Sequence, residues 1–196
     1  MSRWEPNARD RLERAAIELF IEQGFAETTV PQITARAALT TRTFFRHFAD
    51  KRAVLFAGDE ELPALVARLV ADAPASLSPM MLIAYALETV AATKFEGRRA
   101  YLRTRRAVIQ ADEGLREREL RKLSALSDAI SQGFRDRGFD ELTSILAAQL
   151  AVTVFSVTLS RWLDQDGAHP LSALVYDTLR ALRSVTADPA AHPHRA

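Results

Sequence analysis

TVPQITARAALTTRTFFRHF, residues 29–48, reads as two short helices joined by a tight turn. Thr29 followed three residues later by Gln32 fits a capping box at a helix start. Pro31 is tolerated there because first-turn N–H groups have no partner within the helix. Ile33, Ala37 and Ala38 can share one face of that helix. Thr40 can cap the next helix through its side-chain oxygen, and Phe44 and Phe48, four apart, meet on one face of it. Asp50 can cap a third helix starting near Lys51. A second helix that presents hydroxyls, arginine and histidine after a tight turn has the layout of a helix-turn-helix, whose second helix enters the DNA major groove.

The residues upstream support this reading. Leu12, Ala15, Ala16, Leu19 and Phe20 follow the spacing of an amphipathic helix, and Gln23-Gly24 ends it, since glycine accepts the left-handed cap conformation. Three short helices with a shared apolar centre result, and residues 41–47 are their best-exposed element. Arg42, Arg46, His47, Lys51 and Arg52 cluster there, opposed only by Asp50. The net charge of the whole chain is only +1, so a local basic patch, not global basicity, carries the signal.

Over roughly Arg9 to Phe56 the chain resembles the N-terminal domain of the tetracycline-repressor (TetR) family of transcriptional regulators. The resemblance is carried by AAIELFIEQGF, then TTVPQITARAAL, then TTRTFFRHFADK. The family usually has glycine where this chain has Ala38, and often tyrosine where it has Phe45, which cannot donate a hydrogen bond to a phosphate. Together with the charge placement, the resemblance implies that Thr41, Arg42, Thr43 and Phe44 face the major groove. Arg42 can pair with guanine, and Thr41 or Phe44 can touch a thymine methyl. Thr29, Thr40, Arg46, His47 and Lys51 are expected on phosphates, with Gln32 and Phe45 completing the DNA-binding set.

The rest of the chain reads as helical. It has 196 residues, 48% of them hydrophobic, and no cysteine, so it can bury a core but has no disulfide or thiolate site. Residues 1–11 are polar and charged, unlike a signal peptide. The most apolar stretch, residues 145–159, is interrupted by Gln149, Thr153, Ser156 and Thr158, short of an unbroken span of about 18 residues. A cytoplasmic protein with no membrane partner is expected. A helical segment over 51–72 contains Gly58 and Pro63, readable as a simple break or as a proline kink in a helix that joins the two domains and transmits motion. Further helices are expected at 79–95, 98–111, 114–137, 141–164 and 170–186, with Gly97, Gly114, Gly138, Gly167 and Pro170 at the joints. The fold class is all-α, about nine helices. A helix-turn-helix domain spans 1–56, a ligand-binding and dimerisation domain 57–188, and a disordered tail 189–196.

Residues 141–164 are apolar nearly all round, which argues burial on both faces. The resemblance implies that the last two helices pair two copies into a homodimer, and two-fold symmetry suits a palindromic duplex operator. It also implies a pocket for a small-molecule effector among the middle helices. Met81, Tyr85, Tyr101, Phe155 and Trp162 are its aromatic or adaptable candidates. Gln149, Thr153, Ser156 and Ser160 form a polar stripe that can orient a ligand, bond its own helix backbone or pack across a dimer. Arg98, Arg99, Arg103, Arg105 and Arg106 form a dense basic run, readable as a solvated face or as a site for an anionic effector.

No phosphate-binding loop, nucleophile elbow or H-E-x-x-H pair is present, and no cofactor or metal is implied. The sequence therefore reads as a ligand-responsive regulator, a repressor by resemblance, and not as an enzyme. The alternative is a helical adaptor or small-molecule-binding protein that keeps the fold without sequence-specific DNA binding.

Overall fold

The computed structural model describes residues 8–166 and 169–186, with Glu60 known by its backbone alone. Among the described residues it is all-α. The helices are α1 (Ala8–Gln23), α2 (Val30–Arg36), α3 (Thr41–His47), α4 (Lys51–Leu55), α5 (Leu62–Asp72), α6 (Pro79–Val90), α7 (Arg99–Ala111), α8 (Glu113–Asp136), α9 (Glu141–Asp164) and α10 (Leu171–Thr186). A 3-10 turn, Asp59–Glu61, precedes α5, and a π-helical turn, Ala91–Phe95, extends α6. Gly167 and the tail at 189–196 lie outside the described residues.

Two compact units divide the chain. The first takes residues 1–62 and 100–122, the second 63–99 and 123–196. The segment over 51–72 is broken, the first of its two readings, and not a continuous kinked helix. α4 stops at Leu55, Gly58 turns the chain at φ 82°, and Pro63 lies in the first turn of α5. A proline there replaces an N–H that has no intrahelical partner, so it starts a helix and does not kink one.

In the first unit, α1 packs on α2, α3 and α4. Leu12, Ala16, Phe20, Ile33, Phe44 and Val54 are buried at its centre. Val108 and Ile109 of α7 and Leu115 of α8 join the same core. The Phe20 and Phe25 rings meet at 5.1 Å, and those of Phe44 and Phe48 at 5.5 Å, the offset distances that aromatic pairs favour.

In the second unit, α6, α9 and α10 pack on one another. Arg137, just beyond α8, donates to the carbonyls of Val70, Ala73 and Pro74 at 2.7–2.8 Å, covering the orphan carbonyls at the end of α5. A side chain at Gly133 would meet Val70 at 3.2 Å, so α8 passes close to α5 there. Asp140 caps α9, its carboxylate accepting from Thr143 N at 2.9 Å.

Within one chain α9 buries one face. Ala147, Ala148, Ala151, Val154, Trp162 and Leu163 are buried, whereas Leu142, Ile145, Leu146 and Val157 are exposed. It is long and apolar enough to cross a membrane, with a mean hydropathy of 1.8 over 18 residues. Its contacts with α6 and α10 are those of a core helix in a bundle.

Candidate functional site

The two expected short helices form, and the residues read as caps do the capping. Thr29 Oγ1 accepts from Gln32 N, and Gln32 Oε1 accepts from Thr29 N at 2.8 Å, a complete capping box. Thr40 Oγ1 accepts from Thr43 N at 3.2 Å and shares a 3.0 Å contact with Thr43 Oγ1. These hydroxyls, expected on phosphates or bases, are thus already engaged in starting α2 and α3. Asp50 Oδ1 accepts from Ala53 N at 2.7 Å and starts α4.

The turn between α2 and α3 passes through Ala38 at φ 51°, the one non-glycine residue with positive φ among those described. Alanine pays a steric cost there that glycine avoids. Arg11 of α1 braces the turn, its guanidinium donating to Ala37 O at 2.6 Å. Arg36 ties α2 back to α1 through a fork on Glu22, at 2.9 and 2.7 Å. That pairing holds the Glu22 carboxyl below its ordinary range and raises Arg36 further still.

On α3 the helical period divides the side chains into two faces. Thr41, Arg42, Phe45 and Arg46 are exposed, and Thr43 and His47 are half-buried. Phe44 is fully buried. The expectation that Phe44 meets a thymine methyl is therefore corrected. Its ring is the pin that fixes α3 to α1 and α2, and the same spacing that pairs it with Phe48 turns it away from any groove. Phe45, 59% exposed, is the aromatic ring on the outer face. Arg42 makes no hydrogen bond or ion pair with the described residues, and Arg46 only a 3.5 Å contact with His47. No acidic side chain lies on α3. A short helix thus presents two guanidiniums, a hydroxyl and an apolar ring, the mixture that reads base edges and thymine methyls.

Lys51 is the second correction. Its Nζ donates to Phe25 O at 2.7 Å, Thr28 O at 2.8 Å and Ala26 O at 3.0 Å, and it stands 4.5 Å above the Phe25 ring. An ammonium has three N–H donors, and all three are spent inside the protein. Lys51 clamps the α1–α2 loop and has none left for a phosphate. Burial, its largest influence, pulls the ammonium below the usual lysine range, and Arg52 adds to that, while Asp112 and Glu27 oppose it.

A charged hub invisible in the sequence pattern lies behind α4. Arg105, buried, donates to Leu55 O at 2.5 Å, to Asp59 at 2.7 Å and to Glu119 at 3.3 Å. Lys122 joins the same two carboxylates at 3.1 and 2.8 Å. The Phe56 ring lies within 5.1 Å of the Arg105 guanidinium and 4.9 Å of that of Arg118. The arginine run at 98–106 is therefore not one basic face. Arg105 is neutralised in this hub, and Arg99, in the second unit, donates to the carbonyls of Trp162 and Gln165.

The candidate ligand residues scatter. Met81 and Tyr85 line a groove of about 590 Å³ between α6 and α10. Tyr101 packs on the core of the first unit, and Arg103 also belongs to that unit. Trp162 is buried, with Nε1 donating to His169 O at 3.1 Å, and Phe155 packs edge-on against Phe95. Gln149 and Thr153 are exposed and Ser156 half-buried, all on the outer face of α9. The polar stripe thus faces outward and lines no part of the groove.

Fold and site together define an all-α protein, among the described residues, with an N-terminal helix-turn-helix. Residues 13–57 match the model of the bacterial regulatory proteins, tetR family. The HTH-type transcriptional regulator TcmR of Streptomyces glaucescens is 54% identical over 46 residues, which cover 24% of this chain and 20% of TcmR. The chain thus matches about a fifth of that relative's length. Two solved structures share the fold over nearly the whole chain. A SmeT–triclosan complex is 20% identical with a TM-score of 0.64, covering 91% of this chain and 90% of that one. A putative transcriptional regulator from Pseudomonas aeruginosa PAO1 is 15% identical with a TM-score of 0.62, covering 94% and 93%. Residues 13–57 are thus similar to the DNA-binding domain of the tetR family of bacterial regulatory proteins.

Proposed function

We propose that this protein represses transcription by binding a two-fold symmetric duplex as a homodimer and leaves it when a small molecule binds the second unit. The observation that carries the DNA reading is the outer face of α3, where Thr41, Arg42, Phe45 and Arg46 stand exposed over a core pinned by Phe44. Arg42 is assigned to a guanine edge, and Phe45 and Thr41 to thymine methyls. Arg46 and His47 are assigned to phosphates, which position the helix without reading sequence. The DNA-binding domain is assigned to residues 1–56, its described part being residues 8–56, and a cytoplasmic location follows from the role.

The dimer reading rests on α9. Leu142, Ile145, Leu146 and Val157 are exposed apolar residues on the same side as Gln149, Thr153 and Ser160. A contiguous apolar face of this kind marks an interaction surface, and an isologous pairing of α9 and α10 across a two-fold axis would cover it. The effector reading is supported by the SmeT–triclosan complex, a small molecule bound within the same fold, and by the groove between α6 and α10.

Selection of duplexes from a random library by the purified chain tests this reading. Enrichment of a palindrome that binds two copies supports it. Binding without sequence preference, or none at low salt, refutes it and favours the helical adaptor.

A further inference from the structure

The groove between α6 and α10 belongs wholly to the second unit. Its volume of about 590 Å³ falls inside the range of roughly 300–1,000 Å³ typical of small-molecule sites. Met80 and Met81 from α6, Leu179 from α10 and Leu77 ahead of α6 belong to its apolar lining. Methionines adapt to irregular shapes, and Met81 is 53% exposed although hydrophobic.

The polar groups give the groove a direction. Tyr176 Oη donates to Glu88 Oε2 at 2.5 Å, bridging α10 to α6. That bond raises the tyrosine above its ordinary range, keeping it a donor, and commits the one carboxylate in the lining. Arg180 and Arg183 also line the groove. They follow Tyr176 by four and seven residues, along one face of α10, about 6 and 10 Å further along the axis at 1.5 Å per residue. The Arg183 guanidinium has no partner among the described residues, and Arg180 has only an exposed 3.4 Å pair with Asp177. One end of an apolar trough is therefore closed by a phenol–carboxylate bond, and the other carries two available guanidiniums.

We propose that this groove binds an amphipathic carboxylate, its anionic head on Arg180 and Arg183 and its apolar body along Met80, Met81 and Leu179. A guanidinium fork matches a carboxylate in geometry and charge. A cationic ligand would meet two like charges, and a neutral one would leave both forks unused. The proposal rests on the effector reading above only for the further step from binding to release of DNA.

The test is calorimetric titration of the full chain with decanoate, below its micelle concentration, and with 1-decanol as the uncharged match. Decanoate binds at least tenfold more tightly than decanol to the wild type. The double variant Arg180→Gln, Arg183→Gln keeps its helical circular dichroism and loses that preference. Ala84→Trp, which fills the groove, loses both ligands. Equal affinity for the two probes, a preference that survives in the arginine variant, undiminished binding to the Trp variant, or no binding at all would each overturn the proposal. Operator affinity is measured separately with and without decanoate. Binding without release leaves the groove a ligand site and removes its effector role. A chain that fails to bind DNA sinks the regulator reading while the titration still decides the groove.

Discussion

Replacing Lys51 by methionine separates a structural clamp from a DNA contact. Methionine keeps the length of the stem and removes the ammonium, so three hydrogen bonds of 2.7–3.0 Å are lost. Bonds involving a charged group contribute about 1.5–3 kcal/mol each. The bond to Ala26 is exposed, and water can replace it, whereas those to Phe25 and Thr28 are part-buried. Two unreplaced bonds at the low end give about 3 kcal/mol, reduced by roughly 1 kcal/mol because a partly buried ammonium no longer has to be desolvated. The expected loss is about 2 kcal/mol, or about 4–8 °C in Tm for a chain of this size. A phosphate contact predicts the opposite signature. Stability would stay within about 0.5 kcal/mol, while the slope of log affinity against log salt would shrink by about 0.9. Thermal unfolding, paired with anisotropy titrations on a random duplex well below the Tm, measures both. An unchanged Tm with a reduced salt slope would falsify the clamp.

Ala38→Gly removes the strain at φ 51°. About 1–2 kcal/mol of relief set against about 0.5–1 kcal/mol of added chain entropy predicts a net gain near 0.5–1 kcal/mol, read from the urea midpoint; a lower midpoint would contradict it. Arg105→Met empties the hub on Leu55, Asp59 and Glu119. It is expected to destabilise the chain by about 2–3 kcal/mol, measured by denaturant unfolding, and a neutral result would show the hub to be ornamental. Asp140 is held below the ordinary aspartate value of 3.8 by its bonds from Thr143. A depressed folded pKa means that the stabilisation is complete above the ordinary value and disappears as pH falls through the depressed one. The Tm gap between wild type and Asp140→Ala is therefore wide at pH 7 and closes in strong acid; a gap constant with pH would argue against charge-assisted capping.

Local signals in the sequence located most of the fold. The capping box at Thr29 and Gln32, the caps at Thr40 and Asp50, and the joints at Gly24, Gly97 and Gly138 depend on neighbours three or four residues away, and all form. The expected helices at 98–111, 114–137, 141–164 and 170–186 agree with α7 to α10 within a residue. What failed depended on distant partners. Lys51 reaches carbonyls 23–26 positions away, so in sequence it looks like any basic residue beside a DNA helix. Phe44 carried two incompatible readings, core and groove, and only the packing of α1 against α3 chose between them. The polar stripe on α9 has a clear period, but a period gives a face and not what the face meets. Tyr101 was drawn to the ligand set by its chemistry, although α7 delivers it to the core of the first unit.

The claim that the outer face of α3 reads DNA is tested most directly by Arg42→Ala on two duplexes, the selected palindrome and a scrambled one of equal length. The account predicts a loss of about 1–3 kcal/mol on the palindrome, little change on the scrambled duplex, and a Tm equal to that of the wild type. An equal loss on both duplexes, or none on either, would contradict it.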